Sequence, residues 1–307
     1  DGITYTASNN TATYMFQTIK GCDSLSTLNL IINSIPIASL SGIDTICVGE
    51  TDTLNFYLIG NSPFTVRFSD SINIFTSLLD INGVLISGDP ISFSPMTNCI
   101  FTLIDISDIN GCTNTASGSE LINVNPLPTA NVSGATTICA GDNAPLSFAL
   151  TGKAPFLLNY TDGTSNFNVV LDSLGNNDTS GIPISHYNIG INTVFTLIDI
   201  VDNNFCSNLL SDTTMISIVQ NSTAGINNNI TLCANESAFD MIDSLGGSSA
   251  LGGIWTDSAT GNIVSNIFDP TISNPGTFTY TVTASPCPPL SSYLVVNINN
   301  LPTVTLS

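Results

Sequence analysis

The sequence has 307 residues, 42% of them hydrophobic, and a formal net charge of −20 at pH 7. A chain of this length is expected to form about two to four domains. Nucleic acid is excluded as a partner, because three Lys and Arg residues cannot displace the counterions of a phosphate backbone. No apolar run approaches the roughly 20 residues of a membrane helix, so membrane insertion is not expected.

The residue types favour strands over helices. Thr, Ser, Asn, Ile and Val dominate, whereas the strong helix formers are scarce. Short β-branched and aromatic runs such as LNFYLIG, FTVRFSD, CIFTLIDI and SELINVN alternate with Gly, Pro, Asn and Asp. The sequence therefore predicts an all-β chain of immunoglobulin-like Greek-key sandwiches, with fibronectin-like topology as the alternative.

Internal similarity divides the chain. FTLIDISDINGC, which ends at Cys112, returns as FTLIDIVDNNFC, which ends at Cys206, 94 residues later. We predict the C-terminal part of a repeat (1–35), repeat A (36–127), repeat B (128–219), a shorter repeat C of a different subtype (220–300) and the start of another repeat (301–307). Short proline-containing linkers predict an elongated rod. The N-terminus shows no signal peptide, which predicts a fragment of a larger protein.

Eight cysteines at recurring positions suggest a disulfide framework and an extracellular location. The recurrence predicts bonds within repeats: Cys47–Cys112, Cys139–Cys206 and Cys233–Cys287. Each would stabilise its repeat by about 4 kcal/mol in the chain-entropy model. Zinc is disfavoured because no CxxC motif occurs. Cys22 is expected to pair upstream of this sequence, and Cys99 to be a buried thiol.

Several segments resemble a known family. GCDSLSTLNLIIN, TICAGDNAPLSFALTGKAPF, and the ordered elements LGG, GGIW, FDP, PGTFTYTV and CP of repeat C are similar to tandem repeats of giant Bacteroidetes surface proteins, including gliding-motility-type adhesins. The resemblance covers essentially the whole chain. It implies export by type IX secretion, a bacterial cell-surface location and distal adhesive or anchoring domains.

The same resemblance implies O-glycosylation of a Ser or Thr that follows Asp and precedes a small aliphatic residue or Thr. The family pattern fits eight positions: Ser24, Thr45, Thr53, Ser71, Ser173, Thr213, Ser244 and Ser258.

An enzyme is not expected. The single His186 lies far from any nucleophile-elbow sequence and is interpreted as a surface or edge-strand residue. Trp255 is interpreted as core, with sugar stacking as the alternative. Clustered turn carboxylates make weak Ca²⁺ candidates, although the same residues suit hairpin turns. These candidates are Asp105, Asp108, Asp199 and Asp202.

The favoured function is a non-enzymatic shaft of a large surface adhesin or filamentous appendage, in which neighbouring repeats of the chain are the first partners. The alternative is a module that itself binds glycans or cell surfaces. A third hypothesis is lateral assembly into a homo-oligomer or bundled filament, because only 8% of residues are charged. No cofactor is expected apart from Ca²⁺.

Overall fold

A computed structural model describes residues 2–134 and 137–302. The chain divides into two compact units, Asp1–Leu127 and Pro128–Ser307. Within the described ranges all regular structure is β-strand except for one 3₁₀ turn at Met241–Ser244. None of the chain described there forms a helix that is long and apolar enough to cross a membrane. The predicted all-β class is confirmed.

The first unit opens with an isolated hairpin. Strand β1 (Thr13–Gln17) pairs antiparallel with β2 (Asp23–Thr27), and every residue of the two strands is exposed.

Repeat A has ten strands, which form an eight-stranded sheet and a separate two-stranded sheet. Its strands are β3 (Ile37–Cys47), β4 (Asp52–Thr53), β5 (Phe56–Ile59), β6 (Phe64–Ser69), β7 (Ile74–Leu79), β8 (Leu85–Gly88), β9 (Ser92–Phe93), β10 (Cys99–Ser107), β11 (Thr113–Thr115) and β12 (Ser119–Asn125). The long strand β3 pairs antiparallel with β5 through its first half and parallel with β12 through its second half. Beyond β3 the strands of this sheet follow in the order β12-β10-β6-β7-β8. In β6 the alternation predicted by FTVRFSD is observed, because Phe64, Val66 and Phe68 are buried.

Repeat B repeats this layout. Its strands are β13 (Thr129–Gly134), β14 (Thr137–Cys139), β15 (Ala144–Thr151), β16 (Phe156–Thr161), β17 (Asn166–Leu171), β18 (Ile184–His186), β19 (Thr193–Val201), β20 (Ser207–Leu209) and β21 (Thr213–Val219). One sheet has the order β13-β15-β18, and the other has the order β14-β21-β19-β16-β17.

Repeat C is built from shorter strands. They are β22 (Ala224–Ile226), β23 (Asn228–Cys233), β24 (Phe239–Asp240), β25 (Gly246–Ser249), β26 (Ile254–Asp257), β27 (Ile267–Phe268), β28 (Gly276–Val282) and β29 (Leu290–Asn299). Its main sheet has the order β23-β29-β28-β26. The 3₁₀ turn Met241–Ser244 is capped by the Asp240 carboxylate, which accepts a hydrogen bond from the Ile242 N–H.

Three separate hydrophobic cores lie in residues 38–122, 130–216 and 224–296. Each core lies inside one predicted repeat, while the repeat boundaries themselves stay predictions. The first two cores each contain a cluster of four rings, at equivalent positions in the two repeats. In repeat A its members are Phe68, Phe75, Phe93 and Phe101, and in repeat B they are Tyr160, Phe167, His186 and Phe195.

Candidate functional site: the disulfide junction between repeats B and C

Cys139 ends β14 beside the segment that leads out of repeat B. Strand β14 runs parallel to β21, and Cys139 lies opposite Val219, the last residue of β21. The Ala140 N–H donates a hydrogen bond of 2.9 Å to the Val219 carbonyl. The Cys139 Sγ atom also lies 2.8 Å from Oδ1 of Asn221. The first cysteine of repeat B is therefore at the end where the chain leaves this repeat.

Cys287 lies in the turn between β28 and β29 of repeat C. It is buried, and its backbone N–H donates a 2.7 Å hydrogen bond to the Ala284 carbonyl. Its Sγ atom lies 3.4 Å from the Val219 carbonyl oxygen. Cys287 and Cys139 form a disulfide whose Cα atoms are 4.9 Å apart. The bond thus joins two consecutive repeats.

This bond corrects all three predicted pairings. Cys139–Cys206 is wrong because Cys139 is bonded to Cys287, and Cys233–Cys287 is wrong for the same reason. Cys47–Cys112 is wrong because Cys112 carries a free thiol, as does Cys233.

The physical reason is that the two cysteines of one repeat lie at opposite ends of its sandwich. In repeat B, Cys139 is level with the C-terminal end of β21, beyond the start of the antiparallel neighbour β19. Cys206 follows the far end of β19, next to β20. The nine residues of β19 span roughly 30 Å at the usual strand rise. A disulfide requires Cα atoms within about 7 Å.

The remaining cysteines have different environments. Cys47 and Cys206 are disulfide-bonded. Cys99 packs against the core of repeat A, and burial, followed by the charge of Asp70, raises the pKa of its thiol. Cys99 is a free thiol, as predicted, but it is half-buried rather than buried. Cys22 is an exposed thiol, and its pairing with a residue upstream stays a prediction.

The four calcium candidates make hydrogen bonds within their own repeats. The Asp108 carboxylate accepts hydrogen bonds from the N–H groups of Asn110 and Cys112, and Asp202 caps the equivalent turn. Asp105 pairs with Arg67, and Asp199 accepts a 2.7 Å hydrogen bond from Asn159 Nδ2. Asp108 and Asp202 match the hairpin-turn alternative, whereas Asp105 and Asp199 lie within β10 and β19 and bond to the neighbouring strand. Calcium binding at these four residues stays a prediction.

The eight predicted glycosylation positions are accessible to different degrees. Seven are exposed, and Ser244 is half-buried. Modification at these positions stays a prediction.

His186 and Trp255 have the predicted structural environments. His186 lies on the edge strand β18, half-buried, with Nε2 3.0 Å from the Tyr160 hydroxyl. Trp255 is 3% exposed and packs on Tyr280 in the core of repeat C, which confirms the core interpretation. The rings of Trp255 and Tyr280 line a pocket of about 440 Å³. Because the indole is buried, its face cannot stack on a sugar in this conformation.

One group of carboxylates was not predicted from the sequence. Across residues 2–134 and 137–302, a single set of three acidic side chains can reach one common ion: Asp44, Asp52 and Glu120. The available signal was Glu120, a charged residue inside the apolar alternation of SELINVN.

No known protein-family profile matches the chain, and no curated protein matches it. Several solved structures are similar to the chain. The titin I-band fragment I67–I69 is similar with a TM-score of 0.55 at 10% identity, covering 87% of this chain and 99% of that one. An E-to-A variant of the same three immunoglobulin domains gives a TM-score of 0.54 at 10% identity, with 86% and 98% covered.

A 1.5-MDa bacterial ice-binding adhesin is also similar, with a TM-score of 0.44 at 12% identity over 87% of this chain and 100% of that chain. A TM-score this low supports no conclusion about the fold or function of this chain. The titin likeness, at 10% identity, shows the fold alone. The predicted tandem immunoglobulin-like fold is thereby confirmed.

Proposed function

We propose that this chain is a non-enzymatic shaft segment of a large extracellular bacterial surface adhesin or filamentous appendage, which presents a distal adhesive region. The observation that carries the proposal is the Cys139–Cys287 disulfide. It crosses from one repeat to the next and touches the connecting strand end at Val219. A covalent bond in this place keeps consecutive sandwiches attached and oriented, which is what a load-bearing shaft requires.

The bond also limits how far the chain can extend. The two bonded cysteines are 148 residues apart in sequence. In a chain that keeps this bond but has the other bonded cysteines, Cys47 and Cys206, replaced by Ser, a force applied to the ends crosses the disulfide and bypasses the residues between Cys139 and Cys287. An extended chain spans about 3.3–3.6 Å per residue, so roughly 500 Å of extension is withheld while the bond is intact.

An extracellular location is part of the proposal. Disulfides persist in oxidising compartments, and Cys47, Cys139, Cys206 and Cys287 are all bonded. Bacteroidetes origin, type IX secretion and glycosylation rest on the sequence resemblance. The exposure of seven of the eight predicted glycosylation positions supports the last of these.

Lateral assembly of shafts into a homo-oligomer or bundle is a further part of the proposal. Water-covered sandwich faces usually carry abundant charge, whereas only 8% of residues here are charged. Large apolar side chains such as Ile43, Tyr57 and Ile72 are exposed. Sedimentation of glycosylated native material should show oligomers at micromolar concentration, and a monodisperse monomer would remove this part.

Single-molecule pulling tests the shaft. Cys206 lies between the two cysteines and carries a further disulfide, so the test uses a Cys47→Ser/Cys206→Ser background. In that background, the oxidised chain held by its termini should release roughly 500 Å less length than the chain that also carries Cys139→Ser/Cys287→Ser, and it should stay intact at forces that unfold repeats B and C of the latter. Cys233→Ser removes a free thiol and should change neither length. Equal released lengths with and without the Cys139–Cys287 bond would contradict the proposal.

Glycan arrays test the alternative function. The oxidised chain should bind no glycan selectively, because Trp255, the residue best suited to stacking on a sugar, is buried. Saturable, selective binding would instead identify these repeats as a recognition module.

A further inference from the structure

A charged side chain lies on the core face of repeat A. Glu120 is in β12, two residues before Ile122, so both side chains project from the same face of the sheet. Ile122 belongs to the hydrophobic core, and Glu120 is 0% exposed. Neither carboxylate oxygen accepts a hydrogen bond of standard geometry. A buried carboxylate without partners is unfavourable, and in native proteins it calls for a ligand or a proton.

The backbone makes room for this carboxylate. Gly42 of β3 lies directly opposite Glu120 in the parallel pair. A Cβ atom on Gly42 would lie 2.8 Å from Glu120 Oε1. The glycine therefore forms one wall of a space that the carboxylate occupies.

Two more carboxylates converge on this space. Asp44 lies two residues beyond Gly42 on the same face of β3, and Asp52 begins the short strand β4. Carboxylate oxygens of Asp44, Asp52 and Glu120 all lie within 4.8 Å of one another. The Oδ2 atom of Asp52 is also buried without a hydrogen-bond partner.

Without a cation, this arrangement disfavours ionisation. Burial, followed by the charge of Asp52, raises the pKa of Glu120, and only the nearby Asn55 N–H acts in the opposite direction. The Arg and Lys side chains do not neutralise the group, since the one ion pair of the described chain is Arg67–Asp105.

We propose that Asp44, Asp52 and Glu120 form a binding site for a hard divalent cation, Ca²⁺, inside the sandwich of repeat A. Oxygen atoms bound to one Ca²⁺ at about 2.3–2.6 Å can be at most about 5 Å apart, which the observed spacing satisfies. The ligand set holds no sulfur or nitrogen, as a hard cation prefers. Backbone carbonyls or water would complete the six to eight oxygens that Ca²⁺ takes. This site is independent of the shaft proposal.

Repeat B supplies a natural contrast. At the positions equivalent to Asp52 and Glu120 it has Ala144 and Thr214, and the residue equivalent to Asp44 is Thr136, which lies outside the described residues. The site is therefore specific to repeat A, and the chain is expected to bind one Ca²⁺ there.

Equilibrium dialysis and calorimetric titration of the whole oxidised chain with Ca²⁺ test the site. The parent chain should bind one ion that the variants lose, in the range of roughly 10⁻⁴–10⁻³ M seen for extracellular modules. Asp52→Ala and Glu120→Thr copy repeat B and should each weaken this binding at least tenfold. Asp178→Asn removes an exposed carboxylate of repeat B and should leave it unchanged.

Circular dichroism identifies any variant that fails to fold. Asp52 is only half-buried, so its substitution keeps the test valid if Glu120→Thr unfolds. No Ca²⁺ bound at 10 mM, or equal binding by the parent and Asp52→Ala chains, would overturn the proposal. Equal affinity for Mg²⁺ would overturn its assignment to calcium.

Discussion

Repeats A and B arrange their strands in the same order but place different chemistry at equivalent positions. Phe68 and Phe93 of repeat A correspond to Tyr160 and His186 of repeat B, and the ring cluster persists in both. In repeat B the two polar atoms satisfy each other, with 3.0 Å between the Tyr160 hydroxyl and His186 Nε2. The sandwich therefore requires register and ring packing at these positions, and it accepts polar side chains there when they form a hydrogen bond with each other.

Breaking the junction disulfide should have the largest effect. The Cys139→Ser/Cys287→Ser chain should lose up to about 5 kcal/mol in the chain-entropy model, if repeats B and C unfold together. Scanning calorimetry should show lower transition temperatures for B and C and an unchanged transition for A. The matched control Cys233→Ser should leave every transition in place. Unchanged B and C transitions in the double variant would show that the bond does not stabilise them.

Converting the polar pair of repeat B to the pattern of repeat A tests the ring cluster. Tyr160→Phe should cost about 1–3 kcal/mol, because it leaves a half-buried His186 nitrogen unpaired. Tyr160→Phe/His186→Phe should cost less than the sum of the single changes, as measured by a denaturation double-mutant cycle. The reciprocal Phe68→Tyr buries a hydroxyl in repeat A and should destabilise it. Strict additivity would show that the two side chains are not coupled.

Repeats A and B differ in backbone strain at one turn position. Gly111 of repeat A has φ +76°, and its equivalent in repeat B is Phe205 with φ +63° and 85% exposure. A bulky residue is strained in this left-handed region, while glycine is not. Phe205→Gly should therefore stabilise repeat B by about 1 kcal/mol in urea denaturation. Phe205→Ala keeps a Cβ atom and should give little gain, and a destabilised glycine variant would refute the strain.

The single histidine makes repeat B sensitive to pH. Burial lowers the pKa of His186 from its ordinary 6.5, and the charge of Asp162 only partly opposes this. The unfolded chain then binds the proton more readily, so the stability of repeat B should fall as pH drops below about 6.5. Denaturation between pH 7.5 and 5 should show this fall, and His186→Phe should remove it. An identical pH dependence in the variant would assign the fall to carboxylates.

The surface pair of repeat A should matter least. Arg67 Nε donates a 2.9 Å hydrogen bond to Asp105, where repeat B has Asn159 and Asp199. The guanidinium lowers the pKa of Asp105, so the stabilisation exists above the ordinary value of 3.8 and is lost as pH falls through the lowered pKa. Arg67→Asn should cause a small loss of stability that disappears at 1 M salt, because the pair is exposed. A large, salt-independent loss would indicate packing by the Arg67 stem.

Much of the fold was readable from local pattern. The runs LNFYLIG, FTVRFSD and SELINVN contain β5, β6 and β12, and CIFTLIDI covers all of β10 except its last residue, Ser107. Strand alternation has a period of two, so a short segment carries enough information to show its buried face. The turn role of Asp108 and Asp202 was likewise visible, since an aspartate caps backbone groups only a few residues away.

The sequence by itself determined the all-β class, the repeat period and the turns, because each depends on neighbours along the chain. Only the tertiary structure decided which cysteines meet and which carboxylates converge. Cys139 and Cys206 are a plausible pair by spacing, yet strand direction places them at opposite ends of one sandwich. Asp44 and Glu120 are far apart in sequence and become neighbours because β3 runs parallel to β12. Contacts of this kind follow from strand order and register, which no local pattern contains.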